Sequence, residues 1–175
     1  FDQIVGTHQI ALWKEVVSND MDHLADQLEV LRADPKLAAA LRSRDPLELA
    51  RVGDVLYGET RAWGQASLLE IYDRSNSLVY ASGGAVVFEP TLDFRQTQTV
   101  LQTGSSVGGL QMNETRDILV TVALPIEADD RTIGILLLGN RATSTIRDYR
   151  EALRELCAPV LVMEAETRER QDAAF

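Results

Sequence analysis

The apolar residues of this chain keep two rhythms, and the order in which they occur limits the fold more than any other feature. Up to about residue 63 they recur at helical intervals; from Leu68 to Gly139 they come in short runs punctuated by turn residues. Ile10, Trp13, Val17, Leu24, Leu28 and Leu31 are spaced by three, four or seven positions, which puts them on one face of an amphipathic helix. The spacing predicts a helix over residues 4 to 33. Trp13, Leu24, Leu28 and Leu31 turn to a core, and Lys14, Glu15, Asp20, Asp26 and Glu29 turn to water. Asp34-Pro35 and Asp45-Pro46 follow. Each sets an N-capping carboxylate before a proline, whose missing N–H costs nothing in a first helical turn. Glu48, three residues after Asp45, completes a capping-box pattern. Two short helices are expected, from Pro35 to about Leu41 and from Pro46 to about Trp63.

The second rhythm belongs to strands. Leu68–Tyr72 and Leu78–Ser82 flank the turn-forming cluster Asp73-Arg74-Ser75-Asn76-Ser77 and read as a hairpin. Gly83-Gly84 breaks it, and residues 85–90 read as a loop or an irregular strand. A short helix is expected from Asp93 to Gln102, with Gly104 as its terminator. Val107–Met112, Ile118–Ile126 and Thr132–Gly139 read as strands, the last two joined by a turn around Ala128-Asp129-Asp130. Helical spacing returns through Ile146, Tyr149, Leu153 and Leu156, with Thr145 and Asp148 as a further capping-box pair. Pro159 leaves residues 160–163 open to strand, while 164–172 prefer helix. Helices segregated from hairpin-linked strands imply an α+β fold. The expectation is one antiparallel sheet of about five strands over residues 68–140, with the long helix along one face.

Length and composition bound the rest. The chain has 175 residues, 45% hydrophobic and 25% charged, as expected of one globular domain over 1–175. A net charge of −10 repels phosphates, which argues against nucleic acid and anionic headgroups as partners. Cys157 is the single cysteine, so neither an intrachain disulfide nor a cysteine-based metal cluster can form, and the compartment stays open. No apolar run reaches the roughly 18 residues of a membrane span. The chain opens on Phe1 with no signal-peptide pattern. An excised fragment is expected, either from between two membrane helices or from a cytoplasmic protein.

Catalytic chemistry is hard to find. Gly104-Ser105-Ser106-Val107-Gly108 matches the G-x-S-x-G string, but a nucleophile elbow needs strand, serine, helix and a later histidine. Here the expected order is helix, loop, strand, and His8 and His23 lie upstream. The two histidines lack metal-ligand spacing, and Asp129-Asp130 is too short for a calcium loop. Asn113-Glu114-Thr115 matches a glycosylation acceptor, relevant only in a eukaryotic secretory setting. No enzyme, metal or cofactor is expected. What remains is a set of polar and aromatic residues around the expected sheet: Tyr72, Asp73, Tyr80, Arg95, Gln98, Arg116 and Thr121. These are types that orient a small ligand in an apolar pocket. The pocket is expected between the sheet and residues 86–101, the one long excursion between the hairpins. Tyr72, Tyr80, Arg95 and Thr121 would line it, and Arg95 or Arg116 would meet an anionic group through the planar guanidinium fork.

Three stretches together resemble a known family. LRADPKLAAALRSRDPLELARVGDVL (31–56) resembles the helical entry to bacterial Cache sensor domains. LLEIYDRSNSLVYASGG (68–84) is similar to their first PAS-like hairpin, with Asn76-Ser77 where a glycine is usual. ILVTVALPIEADDRTIGILLLGN (118–140) is similar to the closing hairpin, which GAF domains share. The resemblance implies a PAS-like, extracytoplasmic small-molecule sensor domain, with the N-terminal helix leading from one membrane helix and residues 144–175 towards another. The parent would be an inner-membrane histidine kinase, diguanylate cyclase or chemoreceptor, with ligand state transmitted by conformational change and a possible homodimer along the N-terminal helix. The ligand is unassigned. A cytoplasmic GAF- or PAS-like regulatory domain is the alternative.

Overall fold

Helix α1 runs from Asp2 to Arg32 in the computed structural model, as the spacing predicts. The structure describes residues 2–64, 66–82, 90–112, 117–143, 145–152 and 154–155, without the side chains of residues 2–6, 90–95 and 112. The chain forms two compact units, one of residues 19–142 and one joining the start of α1 to the chain after residue 142. Within the latter, Trp13 meets Tyr149 edge-on at 5.3 Å between ring centroids. Tyr149 lies on a helix over residues 145–152, which takes the label α5. Trp13 is only half-buried, and Ile10 is 59% exposed. Ile10 departs from the expected core face, because an apolar stripe is buried only where another element lies against it.

The larger unit opens with the second part of α1, where Leu24, Leu28 and Leu31 are fully buried. Helices α2 (Pro35–Ser43) and α3 (Pro46–Ala62) start as their Asp-Pro pairs dictate. Asp34 Oδ1 accepts from the Lys36 N–H at 2.8 Å, and Asp45 Oδ1 from the Leu47 N–H at 3.0 Å. The capping box at Asp45 does not close as expected. Glu48 pairs with Arg51 at 2.8 Å, and the Asp45 N–H donates to Ser43 Oγ instead.

Five strands form a single antiparallel sheet: β1 (Leu68–Asp73), β2 (Leu78–Ser82), β3 (Val107–Met112), β4 (Ile118–Ala128) and β5 (Arg131–Arg141). Their order is β2-β1-β5-β4-β3, every pairing antiparallel. The first hairpin turns at Asn76, which takes a φ of 61° in place of the usual glycine. Asp73 Oδ1 holds the turn by accepting from the N–H groups of Ser75 (2.8 Å) and Ser77 (3.0 Å). The β4–β5 turn places both Asp129 and Asp130 at positive φ, the two-residue geometry whose twist matches that of the strands. Both strands run further into this turn than the apolar runs indicated.

Alternation along β1, β4 and β5 feeds two cores. Ile71, Val122, Leu124, Leu136 and Leu138 pack with α2, α3 and the second part of α1 on one face. Leu68, Tyr72, Ala123, Ile135 and Leu137 form the other, with Val100. Val100 belongs to α4 (Pro90–Thr103), which starts earlier than the expected Asp93 and ends on Gly104 at φ +64°.

Candidate functional site

The sheet face under α4 carries most of the buried polar side chains of the larger unit: Glu70, Gln96, Thr97, Gln111 and Thr121. Buried polar groups are costly unless bonded, so their partners matter. Gln96 projects from α4, and its Nε2 donates to the carbonyl of Val107 at 2.7 Å and towards that of Thr121 at 3.4 Å. Two carbonyls can only accept, so the amide orientation is fixed. Its Oε1 then faces the Thr121 hydroxyl at 3.0 Å and the Gln111 Nε2 at 2.5 Å. That donation fixes Gln111 in turn and leaves its buried Oε1 with no donor among the described residues.

Two strands from Thr121, Glu70 is 1% exposed in the middle of β1. Its Oε2 accepts from the Tyr72 hydroxyl at 2.6 Å. Burial pushes the carboxyl up to about 7, against a smaller opposing pull from the Tyr72 hydrogen bond. The α4 face thus holds a neutralisable acid at one side and an unsatisfied amide carbonyl at the other. Such a surface can hold a small molecule by its hydrogen-bond donors.

The structure separates the residues that the sequence grouped. Thr121 and Tyr72 lie on the α4 face. Tyr80 lies on the opposite one, its ring against Gly53 and its hydroxyl donating to Asp54 Oδ1 at 2.9 Å. Residues 71 and 80 pair across the hairpin, so Tyr80 shares the face of Ile71 rather than of Tyr72; one pocket cannot be lined by both tyrosines. Asp73 closes the hairpin turn, and Gln98 is exposed on α4. Arg95 belongs to α4, but its side chain lies outside the described residues, as do Arg116, the Asn113-Glu114-Thr115 string and residues 83–89 of the expected pocket segment. Ser105 and Ser106 connect α4 to β3, the helix–loop–strand order that a nucleophile elbow does not have.

Gln96, Gln111 and Glu70 were missed. Gln96 stands one turn before Val100, and Gln111 alternates with Val107 and Gly109, so both could have been placed on an inward face. Glu70 sits in Leu-Leu-Glu-Ile-Tyr, where alternation sends it away from the Ile71 core. Only a second covered face makes that direction inward.

Comparisons with known proteins agree with this architecture. A search of curated protein sequences gives no match. Among solved structures, the sensor domain of the Vibrio cholerae histidine kinase DctB superposes with a TM-score of 0.63 at 11% identity, covering 85% of this chain and 60% of that one. The Escherichia coli DcuS sensor domain gives 0.59 at 11% identity, covering 76% and 96%. The ligand-binding domain of the Pseudomonas aeruginosa amino-acid chemoreceptor PctC, solved with GABA, gives 0.52 at 11% identity, covering 79% and 62%. The chain spans 55% and 58% of the length of two further matched sensor structures. Residues 7–164 match a family described as the double sensory domain of two-component sensor kinases. The chain therefore belongs to this family of bacterial Cache sensor domains.

Proposed function

We propose that this chain is the extracytoplasmic sensor domain of a bacterial transmembrane signalling protein, and that a small molecule binds on the sheet face under α4. The observation that carries the reading is the buried Gln111 Oε1, which no described donor satisfies. An unpaired buried acceptor costs about 1–3 kcal/mol, a cost that a ligand N–H or O–H would remove. Thr121 and Tyr72 belong to this site. Arg95 and Arg116 remain candidates for any anionic group. Binding would act only through different affinities for two packings of α4 and the sheet. In this reading residues 1–175 act as one sensory module, α1 continues from a membrane helix, and the exposed Ile10 side of α1 supports a homodimer. The parent is a histidine kinase, a diguanylate cyclase or a chemoreceptor.

A thermal-shift screen with amino acids, amines and short carboxylic acids tests the site, because selective binding to the folded state raises the melting temperature. Gln111→Leu removes the orphaned acceptor together with the Nε2 bond to Gln96, whose Oε1 keeps the Thr121 hydroxyl, so the free domain should stay within about 1 kcal/mol of the wild type. The substitution should also cut the affinity of a hit by about tenfold, the worth of one buried hydrogen bond. Hits that bind Gln111→Leu, Thr121→Val and Arg95→Ala as tightly as wild type would dismiss the α4 face. Location is tested on the full-length protein: the reading requires apolar segments of about 20 residues on both sides.

A further inference from the structure

The opposite face of the sheet holds a cavity of about 460 Å³ at the α2–α3 junction. That volume lies within the range of ligand pockets, roughly 300–1,000 Å³. Its apolar wall comes from Leu41, Leu49, Val79 and Ile133, side chains that pack on the core under α2 and α3. Its rim carries Arg42, Arg44 and Arg74. Three guanidinium groups at one opening are notable in a chain with a net charge of −10.

The counter-charges are largely committed. Arg42 pairs with Asp129 at 2.5 Å. Asp73 also lines the cavity; its Oδ1 is tied to two N–H groups of the hairpin turn, and its single negative charge is outnumbered by the three guanidinium groups. The side chains of Arg44 and Arg74 are exposed and make no ion pair among the described residues. Arg44 is also held at φ 55° as the C-cap of α2, a conformation that favours glycine. The backbone strain of a long cationic side chain there is explained if the guanidinium is used at the rim.

We propose that this cavity binds a small amphipathic carboxylate. The apolar tail lies against Leu49 and Ile133, and the carboxylate meets Arg44 and Arg74. Apolar burial supplies the attraction for the tail, and the arginine forks supply charge-assisted hydrogen bonds for the head. The site is independent of the α4 face, since the five-stranded sheet lies between them.

Octanoate, below its micelle concentration, is the probe, with octanamide as its uncharged counterpart. Calorimetry on the 175-residue protein should show saturable octanoate binding, and amide shifts in NMR spectra should centre on Leu41, Leu49 and Ile133. Octanamide should bind at least about tenfold more weakly, and Arg44→Gly/Arg74→Ala should weaken octanoate by a similar factor. Both arginines are exposed, and glycine suits the backbone at residue 44, so the variant should fold; its unliganded melting temperature checks this. Gln111→Leu, on the other face, should bind octanoate as wild type does. The proposal is overturned by absence of saturable binding, by equal affinity for octanamide, by an unchanged affinity in the double variant, or by shifts centred on Gln96 and Thr121.

Discussion

Glu70 shows what a single residue contributes when both sheet faces are covered. Its carboxyl titrates at about 7 in the folded protein, against 4.5 for an ordinary glutamate, because burial penalises the charged form. The folded state therefore holds this proton more tightly than the unfolded chain. The stabilisation is complete below about pH 4.5 and is lost as pH rises through 7, a change of about 3 kcal/mol. Glu70→Gln should accordingly melt higher than the wild type at pH 8, with the difference shrinking towards pH 4.5; melting temperatures across that window decide it. Equal pH slopes for the two proteins would show that the carboxyl is not buried in solution. Tyr72→Phe should push the midpoint further up, because the hydroxyl it removes favours the charged form. Tyr80, on the other face, has its phenol pushed up to about 12, first by burial and then by Asp54.

At the scale of elements, the helix starts were legible because capping is local. Asp34 and Asp45 each accept one N–H that the first turn leaves unpaired. Asp34→Ala and Asp45→Ala should each cost about 1 kcal/mol of unfolding free energy by denaturant titration. The strand glycines behave differently. A Cβ at Gly134 would lie 2.6 Å from the Tyr72 carbonyl oxygen and 2.9 Å from a Leu41 methyl. A backbone oxygen in a paired strand cannot step aside as a flexible side chain can. Gly134→Ala should therefore destabilise the domain by about 1–3 kcal/mol, while Gly109→Ala, which meets nothing within 4 Å, should cost far less. Comparable losses for both would show that β1 and β5 are less tightly joined than their register implies. Nothing in the residue pattern around Gly134 announces that contact, because Leu41 and Tyr72 come from distant parts of the chain.

For the whole molecule the decisive pairing is β1 with β5, which joins residues 68–73 to 134–139. It brings the two hairpins into one sheet and puts β1, β5 and β4 inside, with β2 and β3 at the edges. Native-state hydrogen exchange should follow that order: amides of β1, β4 and β5 protected to nearly the full unfolding free energy, and those of β2 and β3 opening earlier. Exchange of β1 as fast as β2 would mean that the first hairpin docks as a separate, weaker piece.

The sequence alone determined whatever depends on neighbours in the chain. Helical spacing placed α1, Asp-Pro pairs started α2 and α3, turn residues located both hairpins, and their order implied an antiparallel α+β sheet. Asn76 was read correctly as a residue able to take the left-handed turn. The tertiary structure decided which side each strand shows to which helix, and with it the site. Tyr72 and Tyr80 are parted by the pleat and the hairpin register. Gln96, Thr121 and Gln111 meet because α4 lies across β3 and β4. Glu70 becomes a buried acid because both faces of β1 are covered. The physical reason is range: caps and turns act over a few bonds, whereas burial and pairing arise only when segments far apart in the chain come together.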